Sequence, residues 1–156
     1  GWTIAKYLLT HEREMIGGMG RTAAGQKTLS QMAVDAIGLE NGRLSDDLLR
    51  AAVARWEIDA KAFELTAERV LDESKAGQGV GNTSAMLKYY GTELNKRRYE
   101  LLMALYGSDA MVWEGAASNE GALPRAWART KANSIEGGTS EVQLNVISKN
   151  ILGLPS

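Results

Sequence analysis

Residues 45–76 read SDDLLRAAVARWEIDAKAFELTAERVLDESKA, and this stretch decides the fold class. Its apolar residues recur every three or four positions, which is typical of one buried face of an α-helix: Leu49, Val53, Trp56, Ala60, Phe63, Ala67 and Val70. Ser45 can cap the start, and Asp46 and Asp47 suit the positive end of a helix. We therefore predict a long helix from Ser45 to about Gly77, where a cluster of glycines begins.

The same pattern precedes and follows this stretch. Upstream, we predict a helix from about Trp2 to Ala36, followed by a turn from Leu39 to Gly42 that contains Asn41-Gly42. Its apolar stripe comprises Ala5, Leu8, Leu9, Met15, Ile16 and Met19. Downstream, Asn82, Thr83 and Ser84 offer caps for a third helix that stops at Gly107.

The last third of the chain has shorter predicted helices and a longer loop than the preceding part. Residues 108–123 are loop-like, and Pro124 suits the first turn of a short helix that runs to about Asn133. A terminal helix should start at Thr139 or Ser140 and end at Gly153, because Ser140 and Gln143 have the spacing of a capping box. No useful period-two alternation is present, so no sheet is expected. These elements predict an all-α, antiparallel four-helix bundle.

Composition narrows the possible partners. The chain has 156 residues, 44% apolar and 24% charged, which fits one globular domain with a sizeable core. A net charge of −1 gives no field for nucleic acid or an acidic membrane, and no apolar run reaches the ~20 residues that span a bilayer. The absence of cysteine excludes disulfides and thiolate chemistry. Because the chain lacks an initiator Met and starts within a helical pattern, we expect it to be a fragment of a longer protein.

Glu12 is the most informative single residue. It stands four residues after Leu8 and four before Ile16, so it shares the apolar face of its helix. Burial disfavours the charged carboxylate and raises its pKa, as a general base near neutral pH requires. The alternative is a buried glutamate paired with an Arg or Lys, which the pattern alone favours.

The neighbouring charges have weaker interpretations. Arg13 lies at the edge of the same face and could bind a phosphate or carboxylate, although a solvated arginine is the simpler interpretation. His11 is the only histidine and lacks partners for a metal site or a catalytic triad, so no metal site is predicted. A further group of charges is typical of a solvated helix face: Glu93, Lys96, Arg97, Arg98 and Glu100.

A second informative segment, residues 135–143, reads IEGGTSEVQ. Two glycines let the backbone approach a ligand closely, and the N–H groups at a following helix start attract anions. The hydroxyls of Thr139 and Ser140 add donors. The alternative is a simple helix cap, which is what most such segments form.

Together the two segments resemble the acyl-CoA dehydrogenase family. The run from Gly137 to Gln143, followed by Asn145-Val146-Ile147 and by Leu152 to Pro155, is similar to the family's C-terminal signature. The run from Leu8 to Arg13, followed by Gly17-Gly18, is similar to the start of its C-terminal helical domain. The resemblance implies that the chain is this domain, residues 1–156, of a flavoenzyme that oxidises the Cα–Cβ bond of an acyl-CoA.

The resemblance also implies roles for single residues. Members place their catalytic base either just before the Gly-Thr-Ser of the last segment or in the first helix before an Arg. This chain has Gly137 at the first place and Glu12 at the second, so Glu12 is the predicted base and Glu136, one residue out of register, is its rival. Arg13 and Gly138 match substrate-binding positions, and Thr139 and Glu141 match positions that touch FAD.

The resemblance further implies acyl-CoA as substrate, electron-transfer flavoprotein or a similar acceptor, a homo- or heterotetramer, and a location in the bacterial cytoplasm. Two family motifs that reach a neighbouring subunit's flavin are missing. An Arg-x-x-Phe-Gly stretch is not found around Ile37 to Arg43, and Ala104 to Ser108 replace a Gln-x-x-Gly-Gly stretch. Such losses resemble a divergent bacterial branch that degrades sterol and bile-acid side chains as α2β2 assemblies with fewer flavins than subunits. The alternative function is therefore a non-catalytic partner subunit or a helical oligomerisation domain of a heteromeric acyl-CoA dehydrogenase.

Overall fold

The computed structural model describes residue 4, residues 27–78 and residues 81–155. Within residues 27–78, the first helix is α1, which spans Leu29–Ile37. Thr28 caps this helix in an extended conformation, and Gln31 returns a hydrogen bond to the Thr28 N–H group. The predicted continuous helix from Trp2 to Ala36 is therefore wrong at Thr28, where the capping box starts a new helix. Residues 5–26, with the predicted apolar stripe, lie outside the described residues.

A small hairpin follows α1. Strands β1 (Leu39–Glu40) and β2 (Arg43–Leu44) pair antiparallel, with Leu39 opposite Leu44 and Glu40 opposite Arg43. Asn41 and Gly42 connect them with φ values of 51° and 77°, the left-handed conformation that a two-residue hairpin turn requires. The predicted turn is confirmed. The expectation of no sheet is wrong, because strands of two residues are too short to show an alternating pattern.

The long predicted helix is confirmed as α2, Asp47–Lys75. Its cap is Asp46 rather than Ser45, because the Asp46 carboxylate accepts the N–H of Leu49 at 2.8 Å. Four members of the predicted stripe are fully buried: Val53, Trp56, Phe63 and Val70. The indole N–H of Trp56 donates to the Leu94 carbonyl at 2.9 Å and ties α2 to the next helix.

The central helix is α3, Thr83–Tyr106, which ends at Gly107 as predicted. It contacts α1, α2 and both of the helices that follow it in the chain. Between α3 and the next helix, two short 3₁₀ segments, Gly107–Met111 and Ala116–Ser118, occupy the predicted loop. Two further helices complete the chain, α4 (Ala122–Asn133) and α5 (Ser140–Asn150), so α5 ends three residues before the predicted Gly153.

The all-α fold is confirmed, and its core lies between α1, α2 and α3. The buried apolar cluster comprises Leu29, Ala33, Leu44, Val53, Trp56, Phe63, Leu94, Leu102 and Leu105. The opposite side of α3 carries small and polar buried residues and receives α4 and α5. Within the described ranges, no helix is long and apolar enough to cross a membrane. This second side of α3 positions the segment that joins α4 to α5.

Candidate functional site

The double-glycine segment forms a tight turn between α4 and α5. Gly137 and Gly138 have φ values of 65° and 97°, which L side chains rarely adopt. A Cβ atom on Gly138 would lie 2.6 Å from Nε2 of Gln143. Gly138 is therefore required both by its backbone conformation and by the close approach of a buried side chain.

Thr139 caps α5. Its hydroxyl oxygen accepts the N–H of Val142 at 3.3 Å, and its carbonyl accepts the N–H of Gln143 at 3.0 Å. The Ser140 N–H donates to the Ser134 carbonyl at 2.9 Å. The predicted Ser140–Gln143 capping box is therefore wrong by one residue. Several donors at this helix start are already used within the chain, as the simple-cap interpretation expects.

Two fully buried side chains hold the carbonyl groups of the turn. Lys88 of α3 is 0% exposed, and its Nζ donates to Gly138 O at 2.7 Å and to Asn133 O at 3.0 Å. Gln143 of α5 is also 0% exposed, and its Nε2 donates to Gly137 O at 3.0 Å and Gly138 O at 3.3 Å. The carbonyl of Gly138 is thus fixed from α3 and from α5.

Sequence reasoning missed Lys88, because a lysine within a helix normally indicates a solvated position. The residues one turn away on the same face of α3 do indicate that another segment packs closely against it. Ser84, Gly91 and Thr92 are small, and small residues allow another segment to approach the helix closely. All three are buried in the structure.

Glu93 holds the hydroxyl groups on either side of the turn. Its Oε1 accepts from Ser134 Oγ at 3.2 Å and from Ser140 Oγ at 3.1 Å, and Lys96 Nζ lies 3.1 Å from Oε2. Partial burial raises the pKa of Glu93, but Lys96 and the two hydroxyls outweigh it and leave the pKa below its usual value. Glu93 is therefore an anionic anchor for the start of α5.

The predicted solvated face on α3 is wrong in its central part. Glu93 and Lys96 have side-chain exposures of 30% and 26%. Arg97 reaches across to Asp59 of α2 at 2.7 Å, and Lys131 of α4 pairs with Glu100. These charges lie between helices because α3 is surrounded, so they connect α3 to its neighbours.

Glu136, the rival catalytic base, is engaged in an ion pair. Arg129 Nη2 lies 2.8 Å from its Oε2, and Asn133 Nδ2 donates to its Oε1 at 2.7 Å. The hydrogen bond from Arg129 holds the pKa of Glu136 below its usual range, and that from Asn133 acts in the same direction. A general base for neutral pH needs the opposite shift, so this environment disfavours Glu136 in that role.

The predicted flavin-contacting residues lie together at the start of α5. Glu141 is exposed in the first turn, and hydrogen bonds from its own backbone N–H and from Thr139 lower the pKa of its carboxyl group. Thr139 and Gly138 are half-buried beside it. Glu12 and Arg13, the predicted base and its neighbour, lie outside the described residues. Among the residues that are described, no group of three His, Cys, Asp or Glu could hold a metal ion.

Residues 1–152 match the family model described as "Acyl-CoA dehydrogenase, C-terminal domain". The chain belongs to the acyl-CoA dehydrogenase family. The resemblance to this family is thereby confirmed, and the turn between α4 and α5 contains Gly137 and Gly138, on which part of that resemblance was based.

Individual relatives agree with the family match. Acyl-CoA dehydrogenase IpdE1 of Mycobacterium tuberculosis is 28% identical, over 99% of this chain and 38% of that protein. A variant of the Tcur3481-Tcur3483 steroid ACAD has a TM-score of 0.77 at 22% identity. The match covers 100% of this chain and 40% of the chain in that structure. The ChsE4-ChsE5 complex from Mycobacterium tuberculosis has a TM-score of 0.61 at 22% identity, over 96% and 35% of the two chains. The two solved structures share the fold, and the chain spans about two fifths of the curated relative's length.

Proposed function

We propose that this chain is the C-terminal domain, residues 1–156, of a longer FAD-dependent acyl-CoA dehydrogenase in which Glu12 removes the substrate α-proton. The proposal is supported by which residues form the turn between α4 and α5 in a chain of this family. Gly137 stands where many members carry the base, and the adjacent Glu136 is ion-paired to Arg129. The turn thus offers a half-buried glycine and a glutamate whose pKa is lowered, which supports Glu12 as the base.

Glu12 suits this role through its place in the sequence. Its spacing of four residues from both Leu8 and Ile16 predicts a shared apolar helical face, where burial would raise its pKa toward the value that proton abstraction needs. Arg13, directly after it, would contact the acyl-CoA. Gly138 would contact the thioester through its backbone, because glycine has no side chain of its own and Gln143 occupies the space that a Cβ would take.

The start of α5 fits a flavin by its chemistry. The Thr139 hydroxyl oxygen accepts from Val142, and its hydrogen bond to Glu141 favours the ionised form of that exposed carboxylate, which can accept from a ligand. FAD, when bound, accepts the substrate's β-hydrogen as hydride. Thr139 and Glu141 would then hold and orient its polar groups while Glu12 takes the α-proton.

Substrate, acceptor and assembly belong to the same proposal. The substrate is an acyl-CoA thioester, and electrons pass to electron-transfer flavoprotein or a similar acceptor. The assembly is either a homotetramer or a heterotetramer of the type found in the sterol side-chain branch, in the cytoplasm of a bacterium.

The test compares two glutamates in the full-length protein with FAD and any partner subunit. Glu12→Gln should retain flavin absorbance and lose acyl-CoA-dependent flavin bleaching, with kcat reduced by about 100- to 10,000-fold, the usual range for a general base. Glu136→Gln is the matched control, because it neutralises the rival carboxylate, and it should keep kcat within a few-fold. Full bleaching by Glu12→Gln would remove Glu12 from the role.

A second function is favoured by a specific observation. The region where the family's Arg-x-x-Phe-Gly motif is missing forms the β1–β2 hairpin, and the other missing motif falls at the end of α3. One similar solved structure is the complex of ChsE4 with ChsE5. The alternative is therefore a non-catalytic subunit that shapes a partner's site. It predicts that the full-length protein lacks activity alone, and that Glu12→Gln does not reduce the activity recovered with the partner.

A further inference from the structure

Lys88 occupies an unusual position for a charged side chain. Its residue is 0% exposed, yet its ammonium group donates to two backbone carbonyls that lie 45 and 50 residues further along the chain. Burying an ammonium group is costly unless strong hydrogen bonds compensate for the lost water. Two acceptors that belong to the turn between α4 and α5 contribute to this compensation.

These two acceptors lie at opposite ends of the turn. Asn133 is the last residue of α4, and Gly138 is the residue before the Thr139 cap of α5. A single Nζ atom that bonds both carbonyls fixes the separation between the end of one helix and the start of the next. The anchor comes from α3, the central helix, so the turn takes its position from the core.

The same bond sets the direction of a peptide group. A trans peptide is planar, and its C=O and N–H bonds point in opposite directions. Because the Gly138 carbonyl points toward Lys88, the N–H of Thr139 points away from it. The hydrogen bond from Gln143 to the Gly137 carbonyl likewise fixes the direction of the Gly137–Gly138 peptide group.

The charge of Lys88 also acts on the residues around the turn. It contributes to lowering the pKa values of Glu136 and Glu141, after the larger contributions of their hydrogen-bonding partners. Lys88 thus influences the turn by geometry and by electrostatics.

We propose that Lys88 is a positioning residue for acyl-CoA dehydrogenation: through the carbonyls of Asn133 and Gly138, it sets the Gly138–Thr139 peptide and the placement of Thr139 and Glu141 against the flavin. In this role Lys88 acts through the backbone of the turn. The inference rests on the proposed function, whose ligand the turn would contact.

The test uses the full-length protein with FAD and any partner subunit, and compares Lys88→Met with Thr92→Val. Thr92 is a suitable control because it is also 0% exposed on α3, and its hydroxyl donates within that helix, to the Tyr89 carbonyl. Lys88→Met should lower kcat by about 10- to 100-fold, as small misplacements of positioned groups do, and should shift the visible flavin spectrum. Thr92→Val should lower the melting temperature and leave kcat and the spectrum unchanged.

A second variant covers the case in which Lys88→Met does not fold. Lys88→Arg keeps the positive charge but is longer, so the turn must move to accommodate it. It should fold and still lower kcat and shift the flavin spectrum. Wild-type kcat and spectrum in either variant, or an equal loss in Thr92→Val, would overturn the positioning role.

The wild-type reaction separates this inference from the proposed function. If the wild-type holoenzyme is not bleached by any acyl-CoA, the proposed function fails and this inference fails with it. If the wild type is bleached and Lys88→Met is bleached equally fast, only the role of Lys88 fails.

Discussion

Glu93, near the middle of α3, accepts a hydrogen bond from Ser140, the first residue of α5, with 3.1 Å between Oε1 and Oγ. The same oxygen accepts from Ser134, so one carboxylate joins the two sides of the glycine turn. Because its partners favour the ionised form, this contact makes the stability of the turn depend on pH.

The pH dependence has a definite sign. The pKa of Glu93 is lowered from 4.5, so its stabilising contribution is complete above that value and is lost as the pH falls through the lower folded-state pKa. Glu93→Gln should lower the free energy of unfolding by about 1 kcal/mol at pH 7, given a partly exposed ion pair, and by less in acid. Urea unfolding of both proteins from pH 7 to pH 3 measures the difference. A difference that grows in acid would contradict this assignment.

Gly138→Ala should be more harmful than the same change at another left-handed glycine. The new Cβ would meet Nε2 of Gln143 at 2.6 Å, and Gln143 can move only by giving up its bonds to the turn. Gly153 has a φ of 65° and nothing within 4 Å of its Cβ position, so Gly153→Ala reports backbone strain alone. Thermal unfolding should show a loss of about 1–3 kcal/mol from strain in both variants and a further loss in Gly138→Ala. Equal losses would show that the crowding at Gly138 is relieved without cost.

Trp56→Phe should destabilise the packing of α2 on α3. The substitution removes the indole donor to the Leu94 carbonyl inside the core, which should cost about 1–3 kcal/mol. Trp113 is 46% exposed, so Trp113→Phe is the matched control and should change stability by less than about 0.5 kcal/mol. Chemical denaturation followed by circular dichroism gives both values. An equal effect of the two substitutions would exclude a special contribution from the Trp56 bond.

The cap of α2 can be tested by two neighbouring substitutions. Asp46→Ala removes the acceptor of the Leu49 N–H and should cost about 0.5–2 kcal/mol of stability. Ser45→Ala, one residue earlier, should have almost no effect because Ser45 is exposed and is not the cap residue. Melting temperatures measured side by side distinguish them. A larger loss from Ser45→Ala would restore Ser45 as the cap.

The two helix starts show how far local sequence determines structure. Ser45 and Asp46, like Thr139 and Ser140, are adjacent residues that can both cap a helix, so sequence predicts the start only to within one residue. The structure selects Asp46 and Thr139, whose side chains accept from Leu49 and Val142 respectively. Helix periodicity, in contrast, was sufficient for α2, whose buried residues follow the predicted stripe.

The sequence predicts only those parts of the candidate site whose interacting residues are neighbours along the chain. The Gly-Gly-Thr motif appears in consecutive residues, so its turn and helix start could be identified. Lys88 and Glu93 act on residues more than forty positions away, and nothing near either of them in sequence indicates their partners. The predicted role of Glu12 depends on residues outside the described ranges and stays a prediction.

The fifty-residue separation between Lys88 and Gly138 has a consequence for how the chain folds. Closing such a long loop costs conformational entropy, so local helices can form well before this contact does. Because the carbonyls of the turn are gathered only when α3, α4 and α5 dock together, the turn should acquire its native shape among the last events of folding.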